Sequence, residues 1–175
     1  MRILGIDPGS LLMGYGLIDV EGNHYRYISC GTLSLKTLKM PARLKLIFET
    51  ISELIVEHKP QQFAIERVFM GKNVDSALKL GQARGVAMCA ASMQGLEVSE
   101  YAAREIKQAT TGSGAADKGQ IQHMVKVLLG LNKVPGEDAA DALATAICHA
   151  HHSSGPVAKL QQKIQSNDNL GLAGK

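Results

Sequence analysis

Residues 2–9 read Arg-Ile-Leu-Gly-Ile-Asp-Pro-Gly, a short apolar run that ends in an acidic residue before Pro-Gly. The run is shorter than a typical helix and Pro-Gly ends it, so it predicts a buried β-strand over Arg2–Asp7. Strands are also predicted over Gly14–Val20 and His24–Leu33, joined by the turn Glu21-Gly22-Asn23. These three strands predict an antiparallel meander.

Helices alternate with short strands after the meander. A helix is predicted over Pro41–His58, because apolar residues recur at helical spacing and Pro60 prevents its continuation. Gln62–Glu66 then predicts a strand parallel to the first, since the helix makes the crossover. The remaining predicted elements are one helix, one strand and three helices: Val74–Gln94, Leu96–Ser99, Ala102–Thr110, Asp117–Leu129 and Asp138–His152. This order predicts an α/β fold whose mixed five-stranded sheet is flanked by helices, which resembles the ribonuclease H-like fold.

The chain has 175 residues and a formal net charge of +3. This length suffices for one domain with a sizeable core, which we expect to span residues 1–152. The sequence turns polar and aperiodic after Ser153, so a flexible tail is predicted over residues 153–175. No apolar run reaches the roughly 18 residues of a membrane span, and no signal sequence opens the chain. We therefore expect a cytoplasmic protein without a membrane partner.

The cysteines and clustered histidines do not form a standard metal-binding pattern. The three cysteines, Cys30, Cys89 and Cys148, are widely separated, and we expect small buried side chains in a reducing compartment. His149, His151 and His152 follow Cys148 at spacings that fit no usual zinc site. A surface helix end is the expected explanation, because histidine favours helix C-termini.

Four acidic residues occupy positions that predict one metal site. Asp7 and Glu66 each end an apolar strand, so parallel pairing would place both at the sheet edge where α/β folds bind ligands. Asp138 and Asp141 share one helix face. Such a cluster is costly without a cation, and hard oxygen ligands suit Mg²⁺ or Mn²⁺. The set fits two-metal phosphodiester hydrolysis, in which one ion activates a water and the other stabilises the leaving oxygen.

Each acidic residue also has an ordinary structural interpretation. Asp7 precedes Pro-Gly and is a candidate turn residue, whereas Glu66 is a candidate solvated strand end. Asp138 is a plausible helix N-cap, and Asp141 would interact favourably with the helix dipole. The catalytic interpretation therefore depends on the convergence of the whole set.

Two basic segments flank the acidic residues in sequence. Residues 67–84 hold four basic residues against one acidic residue, and residues 104–133 hold five against two, so each has an excess of +3. A basic rim around an acidic pocket suits a nuclease, with Lys72 and Arg84 as candidate DNA contacts. An ordinary solvated surface is the alternative. Phe69 lies in a polar loop, where it either stacks on an unpaired base or packs against the long helix.

Several segments resemble the RuvC family of bacterial Holliday-junction resolvases, within the ribonuclease H-like superfamily. They follow the family's order and spacings: Gly5–Ser10, Gly14–Gly16, Ala64–Phe69, Asn73–Gly85, Tyr101–Lys107 and Asp138–Ala144. The resemblance as a whole extends over roughly Arg2 to His152. The chain departs from the family pattern at Leu11-Leu12-Met13, which is more apolar, and at Gly71, where alanine is frequent.

The resemblance implies a homodimeric endonuclease that resolves four-way DNA junctions by paired symmetric nicks in recombination and repair. It also implies cooperation with the RuvA and RuvB branch-migration complex. The catalytic, Mg²⁺-binding carboxylates would be Asp7, Glu66, Asp138 and Asp141, with Mn²⁺ as a substitute and two ions per site during catalysis. The resemblance further implies DNA contacts by Phe69, Lys107 and Lys118.

The long predicted helix carries small residues that permit close packing: Ala77, Gly81, Gly85, Ala87 and Ala90. Packing against a symmetry-related copy is one interpretation, and packing within the subunit is the other.

Three other functional classes share some of these sequence features with a nuclease that resolves DNA junctions. Actin-like and sugar-kinase-type ATPases also carry Asp-x-Gly after a strand, but they need two lobes, for which this chain is too short. A non-catalytic DNA-binding module would not require all four carboxylates. A nuclease for another branched substrate remains an open alternative.

Overall fold

A mixed five-stranded sheet lies between two layers of helices in the computed structural model, which describes residues 1–68 and 73–154. The strands are β1 (Arg2–Asp7), β2 (Leu12–Glu21), β3 (His24–Ser34), β4 (Gln62–Arg67) and β5 (Val98–Ala102). The helices are α1 (Met40–His58), α2 (Val74–Met93), α3 (Ala103–Thr111), α4 (Lys118–Leu128) and α5 (Glu137–Ser154). The spatial order is β3-β2-β1-β4-β5. The predicted meander is confirmed, and so is the parallel pairing of β4 with β1.

Each face of the sheet carries its own hydrophobic core. Leu4 and Ile6 of β1 pack with α1 and α2, whereas Ile3 packs with α3, α4 and α5. Successive strand residues point to opposite faces. The same alternation puts Ala64 of β4 in the core beside α5. The acidic residues that end β1 and β4 therefore face the α5 side of the sheet.

Strand β2 begins at Leu12, two residues before its predicted start at Gly14. Leu12 pairs with Ser34 of β3, and Met13 is buried in the core beside α1. The apolar character of these two residues extends the strand, because their burial favours pairing over a loop.

Strand β5 was expected over Leu96–Ser99 and lies instead at Val98–Ala102. Leu96 helps to end α2, since its N–H donates to the Ala91 carbonyl at 3.1 Å. Gly95 makes this closure possible with a φ of +78°, which glycine adopts without a steric penalty. The chain consequently reaches the sheet later than its apolar residues suggested.

The cysteines occupy three different environments. Cys148 is buried, Cys30 is partly buried, and Cys89 is exposed, so the expectation of burial is wrong for Cys89. Across the described ranges, every helix lacks the combination of length and apolar character that a bilayer span requires. Phe69, Lys72 and nearly all of the predicted tail lie outside the described residues.

Helix α5 lies directly on the backbone of β1 and β2. A Cβ atom at Gly5 would overlap the carbonyl oxygen of Ala142. A Cβ at Gly14 would overlap the carbonyl oxygen of Asp138 and lie 2.5 Å from its carbonyl carbon. Larger residues at these positions would push the helix away from the sheet. The two glycines therefore set how closely α5 approaches the acidic end of β1.

Replacement Gly5→Ala is expected to lower the free energy of unfolding by about 1–3 kcal/mol, because the added methyl group meets helix backbone. Urea denaturation of the two proteins measures this difference. Gly136→Ala is the matched control, since a Cβ there meets no atom within 4 Å. The control is expected to change stability by less than about 0.5 kcal/mol. Equal stability of the two variants would contradict the close approach of α5.

Candidate active site

One cavity at the carboxyl ends of β1 and β4 brings the four predicted carboxylates together. Its volume is about 280 Å³, and its lining comprises Asp7, Glu66, Ala103, Ile106, Lys107, Lys118, Ile121, Asp138 and Asp141. The lining thus contains all four acidic residues and two of the predicted DNA-contacting lysines. The catalytic and binding roles of these residues stay predictions.

The strand register explains why Asp7 and Glu66 meet. Strands β1 and β4 run parallel, and their last paired residues are Ile6 and Ile65. Asp7 and Glu66 are the next residue on each strand, so they leave the ladder side by side on the face covered by α5. Asp7 is also paired with Gly14 of β2. Hence the glycine that admits α5 is the direct neighbour of the first carboxylate.

Helix α5 supplies the other two carboxylates from its first turns. Asp138 and Asp141 are half-buried, whereas the neighbouring Ala139, Ala140 and Ala142 are fully buried. Residues three apart on a helix share one face. The alanines allow this end of α5 to pack closely while the aspartates line the cavity.

Burial and mutual repulsion disfavour ionisation of Asp7. Loss of hydration raises the pKa of the Asp7 carboxyl to about 8, and the negative charges of Glu66, Asp141 and Asp138 add to this rise. The positive charge of Lys118 opposes it. A carboxyl group whose charge is so unfavourable would gain strongly from a bound cation.

Glu66 and Asp141 experience the same two effects more weakly. Burial raises the pKa of Glu66 to about 6, with a further contribution from the charge of Asp141. Burial also raises the pKa of Asp141, and Asp138 adds to the rise. Lys107 and Lys118 act in the opposite direction on both groups. The two lysines therefore offset only part of the repulsion within the cavity.

The chemistry of this donor set suits a hard divalent cation. Carboxylate oxygens without cysteine or histidine partners are typical ligands of Mg²⁺ and Mn²⁺. Within residues 1–68 and 73–154, no three His, Cys, Asp or Glu side chains are already arranged to hold a metal ion. Carboxylates repel one another, and a cation would draw them together. The four carboxylates therefore have the donor chemistry of a divalent-cation site and would move closer together when a cation binds.

The two cavity lysines have different surroundings. Lys107 of α3 is half-buried in the cavity wall. Lys118 is exposed at the start of α4 and forms an ion pair with Glu137, the first residue of α5. Both ammonium groups can meet an anion that enters the cavity, because neither is fully buried.

Arg84, the other predicted DNA contact that the structure describes, does not line this cavity. Phe69 and Lys72 lie outside the described residues. Arg84 is only 16% exposed, and its guanidinium bonds Glu100 and the Glu66 carbonyl. Several basic side chains of the predicted rim form ion pairs, namely Arg67 with Glu105, Lys79 with Asp75, Arg84 with Glu100 and Lys118 with Glu137. Glu100 and Glu137 lie outside the two counted segments, so the positive charge around Arg84 and Lys118 is smaller than the sequence count suggests.

His149 anchors the other end of α5 and was not predicted to do so. The expected surface position is wrong for His149, which is 6% exposed. Its Nε2–H donates to the Gln62 side-chain oxygen at 2.5 Å, and its Nδ1 accepts from the Tyr101 hydroxyl at 2.7 Å. Burial lowers the pKa of His149 to about 4, so the ring is neutral at pH 7. The sequence could have indicated this burial, because His149 lies at helical spacing from Ala142 and Ala146, which face the sheet.

The neutral, buried His149 is expected to make stability fall in acid. Its pKa is about 4 in the folded protein and about 6.5 in an unfolded chain. The unfolded state therefore binds more protons between these values, and stability is lost as the pH falls through this window, by up to about 3 kcal/mol. His149→Gln is expected to flatten that part of the profile, measured by urea denaturation from pH 7 to pH 4.5.

The control for this prediction is His24→Gln, which removes an exposed histidine and should keep the wild-type profile. The cavity carboxylates respond to pH in the opposite direction, because their pKa values are raised. Their contribution is common to all three proteins and cancels in the comparison. An unchanged slope in His149→Gln would refute the assignment of the acid dependence to this residue.

The part of the chain that matches known proteins includes all four cavity carboxylates. The family model for the crossover junction endodeoxyribonuclease RuvC matches residues 3–149. The crossover junction endodeoxyribonuclease RuvC of Dichelobacter nodosus is 59% identical over 151 residues, which cover 86% of each chain. The Thermus thermophilus RuvC structure superposes with a TM-score of 0.79 and 32% identity, covering 87% of this chain and 95% of that one. Its complex with a Holliday junction substrate gives a TM-score of 0.83 and 31% identity, covering 88% and 95%.

Proposed function

The chain belongs to the RuvC family of crossover junction endodeoxyribonucleases, and from this we propose that it resolves four-way DNA junctions. The reaction is hydrolysis of phosphodiesters that gives paired, symmetric nicks in recombination and repair. The observation that carries the proposal is the single cavity that holds four carboxylates and two lysines at the sheet edge. This combination suits phosphodiester chemistry, because the carboxylates can bind cations while the lysines bind the phosphate.

We propose that Asp7, Glu66, Asp138 and Asp141 hold Mg²⁺ ions, two per site during catalysis, with Mn²⁺ as a substitute. Support comes from their shared cavity and from the raised pKa values of Asp7 and Glu66. Bound ions would supply an activated water and stabilise charge on the leaving oxygen. The protein itself orients the four carboxylates through the β1–β4 register and the close approach of α5.

Lys107 and Lys118 are proposed to hold the DNA backbone at the cut phosphate. Both line the cavity, and both lower the pKa of Glu66, so their positive charges act inside the cavity and would attract a phosphate there. The stacking role of Phe69 and the DNA contact of Lys72 stay predictions outside the described residues. The DNA contact predicted for Arg84 also stays a prediction.

We propose a homodimer in which the outer face of α2 packs against its symmetry mate. On its inner face, Ala87 and Ala90 are buried beside α1, so this part of the helix packs within the subunit. On its outer face, Leu78 is exposed, and a Cβ at Gly81 or Gly85 would meet no atom within 4 Å. An open, partly apolar face suits a symmetric contact, and two subunits would provide two cuts on one junction. Cooperation with RuvA and RuvB and a cytoplasmic location stay predictions.

Leu78→Glu is expected to convert the dimer to a monomer, because a symmetric contact would place two carboxylates in one apolar interface. Sedimentation velocity at micromolar concentration measures the change. Val56→Glu is the matched control, since Val56 is similarly exposed but lies on α1. A wild-type monomer, or a dimer unaffected by Leu78→Glu, would contradict the α2 interface.

The proposed activity is tested by cleavage of a synthetic four-way junction with Mg²⁺, beside linear duplex and single strand. The wild type is expected to make paired nicks on the junction alone and to lose them in EDTA. Asp7→Asn is expected to retain junction binding and to lose at least about 10²-fold in cleavage rate, because it removes a metal-binding carboxylate.

Other outcomes of this assay would identify which part of the proposal fails. Tight junction binding without cleavage by the wild type would indicate a binding module. Equal cleavage of all three substrates would retain the nuclease chemistry and remove the junction specificity. Full activity of Asp7→Asn would refute the assigned carboxylate role.

A further inference from the structure

Arg84 connects helix α2 to the end of the strand that carries Glu66. Its Nε–H donates to the Glu66 carbonyl oxygen at 3.1 Å. Its terminal Nη2 forms an ion pair with Glu100 of β5. The Arg84 side chain is 16% exposed, its contact with the Glu66 carbonyl is partly buried, and its contact with Glu100 is open to solvent. Such a forked group orients two acceptors at once, which an ammonium group cannot do in the same way.

These contacts can affect the cavity because they lie at the carboxyl end of β4, where Glu66 is located. The β1–β4 ladder ends at the pair Ile6 and Ile65, so the Glu66 carbonyl lies beyond the last β1 partner, while Glu66 is still paired with Tyr101 of β5 on the other edge. Glu100 is paired with Ile65 on the other side of β4. Arg84 therefore binds the backbone of Glu66 while being held by the strand next to it.

We propose that Arg84 and Glu100 form a positioning pair that fixes the end of β4 and thereby orients the Glu66 carboxylate in the cavity. This inference rests on the proposed function, in which Glu66 is a catalytic residue. Arg84 acts on the backbone of Glu66, and Glu100 acts by holding the guanidinium in place. Neither residue lines the carboxylate cavity.

Arg84 would act on the Glu66 carboxylate through the position of the Glu66 backbone. A partly buried carbonyl that loses its donor is destabilised, and the strand end would shift to find another partner. Rotation about the Glu66 backbone would then displace its carboxylate, and a displacement near 1 Å can cost about 10²-fold in rate. The loss should appear in the chemical step and in the Mg²⁺ requirement rather than in junction affinity.

The competing role for Arg84 is the DNA contact that its charge suggests. The two roles predict different effects for replacement of Glu100. If Arg84 bound phosphate, Glu100→Gln would leave binding unchanged or strengthen it, because a negative charge beside the arginine is removed. If Arg84 positions Glu66, Glu100→Gln should impair cleavage in the same way as Arg84→Gln, because both changes release the guanidinium.

The experiment compares the wild type, Arg84→Gln, Arg84→Lys, Glu100→Gln and the double Gln variant. Single-turnover junction cleavage is measured across Mg²⁺ concentrations, and junction affinity is measured in EDTA across salt concentrations. Lys45→Gln is the control, since it removes a positive charge and an exposed ion pair with Glu49 on α1. Circular dichroism and urea denaturation identify any variant that does not fold.

We expect Arg84→Gln and Glu100→Gln each to lower the cleavage rate at least about tenfold and to raise the half-saturating Mg²⁺ concentration. Junction affinity in EDTA should stay within about twofold of the wild type, with an unchanged salt slope. The double variant should resemble the single variants, because the residues act as one unit. Arg84→Lys should not restore the rate, since lysine keeps the charge but loses the fork.

Three results would overturn the inference. Weaker junction binding by Arg84→Gln with a salt slope reduced by about 0.9 would identify a phosphate contact. Restored cleavage in Arg84→Lys would show that charge alone matters. Normal cleavage by folded Glu100→Gln would remove the pair. Absence of cleavage by the wild type would instead refute the proposed function, and the inference with it.

Discussion

The approach of α5 to the backbone of β1 and β2 is the contact on which the carboxylate cavity depends. Gly5 and Gly14 leave room for the helix backbone, and Gly14 lies between the end of β1 and the start of α5. Two turns beyond Asp141, the hydrogen bonds of His149 fix the same helix to β4 and β5. The helix is thus held at both ends, so Asp138 and Asp141 are positioned by packing rather than by a loop.

The burial and mutual repulsion of the carboxyl groups oppose this packing. The fold gathers carboxyl groups whose burial and mutual repulsion raise the pKa of Asp7 to about 8 and that of Glu66 to about 6. A sequence selected for stability alone would avoid such a cluster. The apolar strands β1 and β4 and the alanine-rich start of α5 supply the surrounding stability. The fold therefore tolerates the acidic cavity because the well-packed elements around it stabilise the protein.

Local sequence patterns were sufficient for the parts of the site that depend on strand ends and helix faces. Asp7 and Glu66 end apolar runs, and parallel pairing alone brings such ends together. The burial of His149 and the contacts of Arg84 depend instead on partners that the fold brings from distant elements. The ion pair of Arg84 could not be predicted for the same reason, since the sequence does not show that Glu100 lies beside it. The start of β5 was missed because Gly95 and Leu96 close α2 before the chain enters the sheet.

The charge balance of the cavity explains why the site needs a cation as well as its lysines. Four carboxylates and two lysines line it, so the fully ionised cavity has a net charge of −2, and it stays negative when Asp7, with its pKa of about 8, is protonated. A phosphodiester carries another negative charge and would be repelled by this arrangement. Further lysines would neutralise the cavity but would supply neither an activated water nor charge stabilisation at the leaving oxygen. Divalent cations do both. An acidic cavity with few lysines therefore binds DNA favourably only when metal ions are bound in the cavity as well.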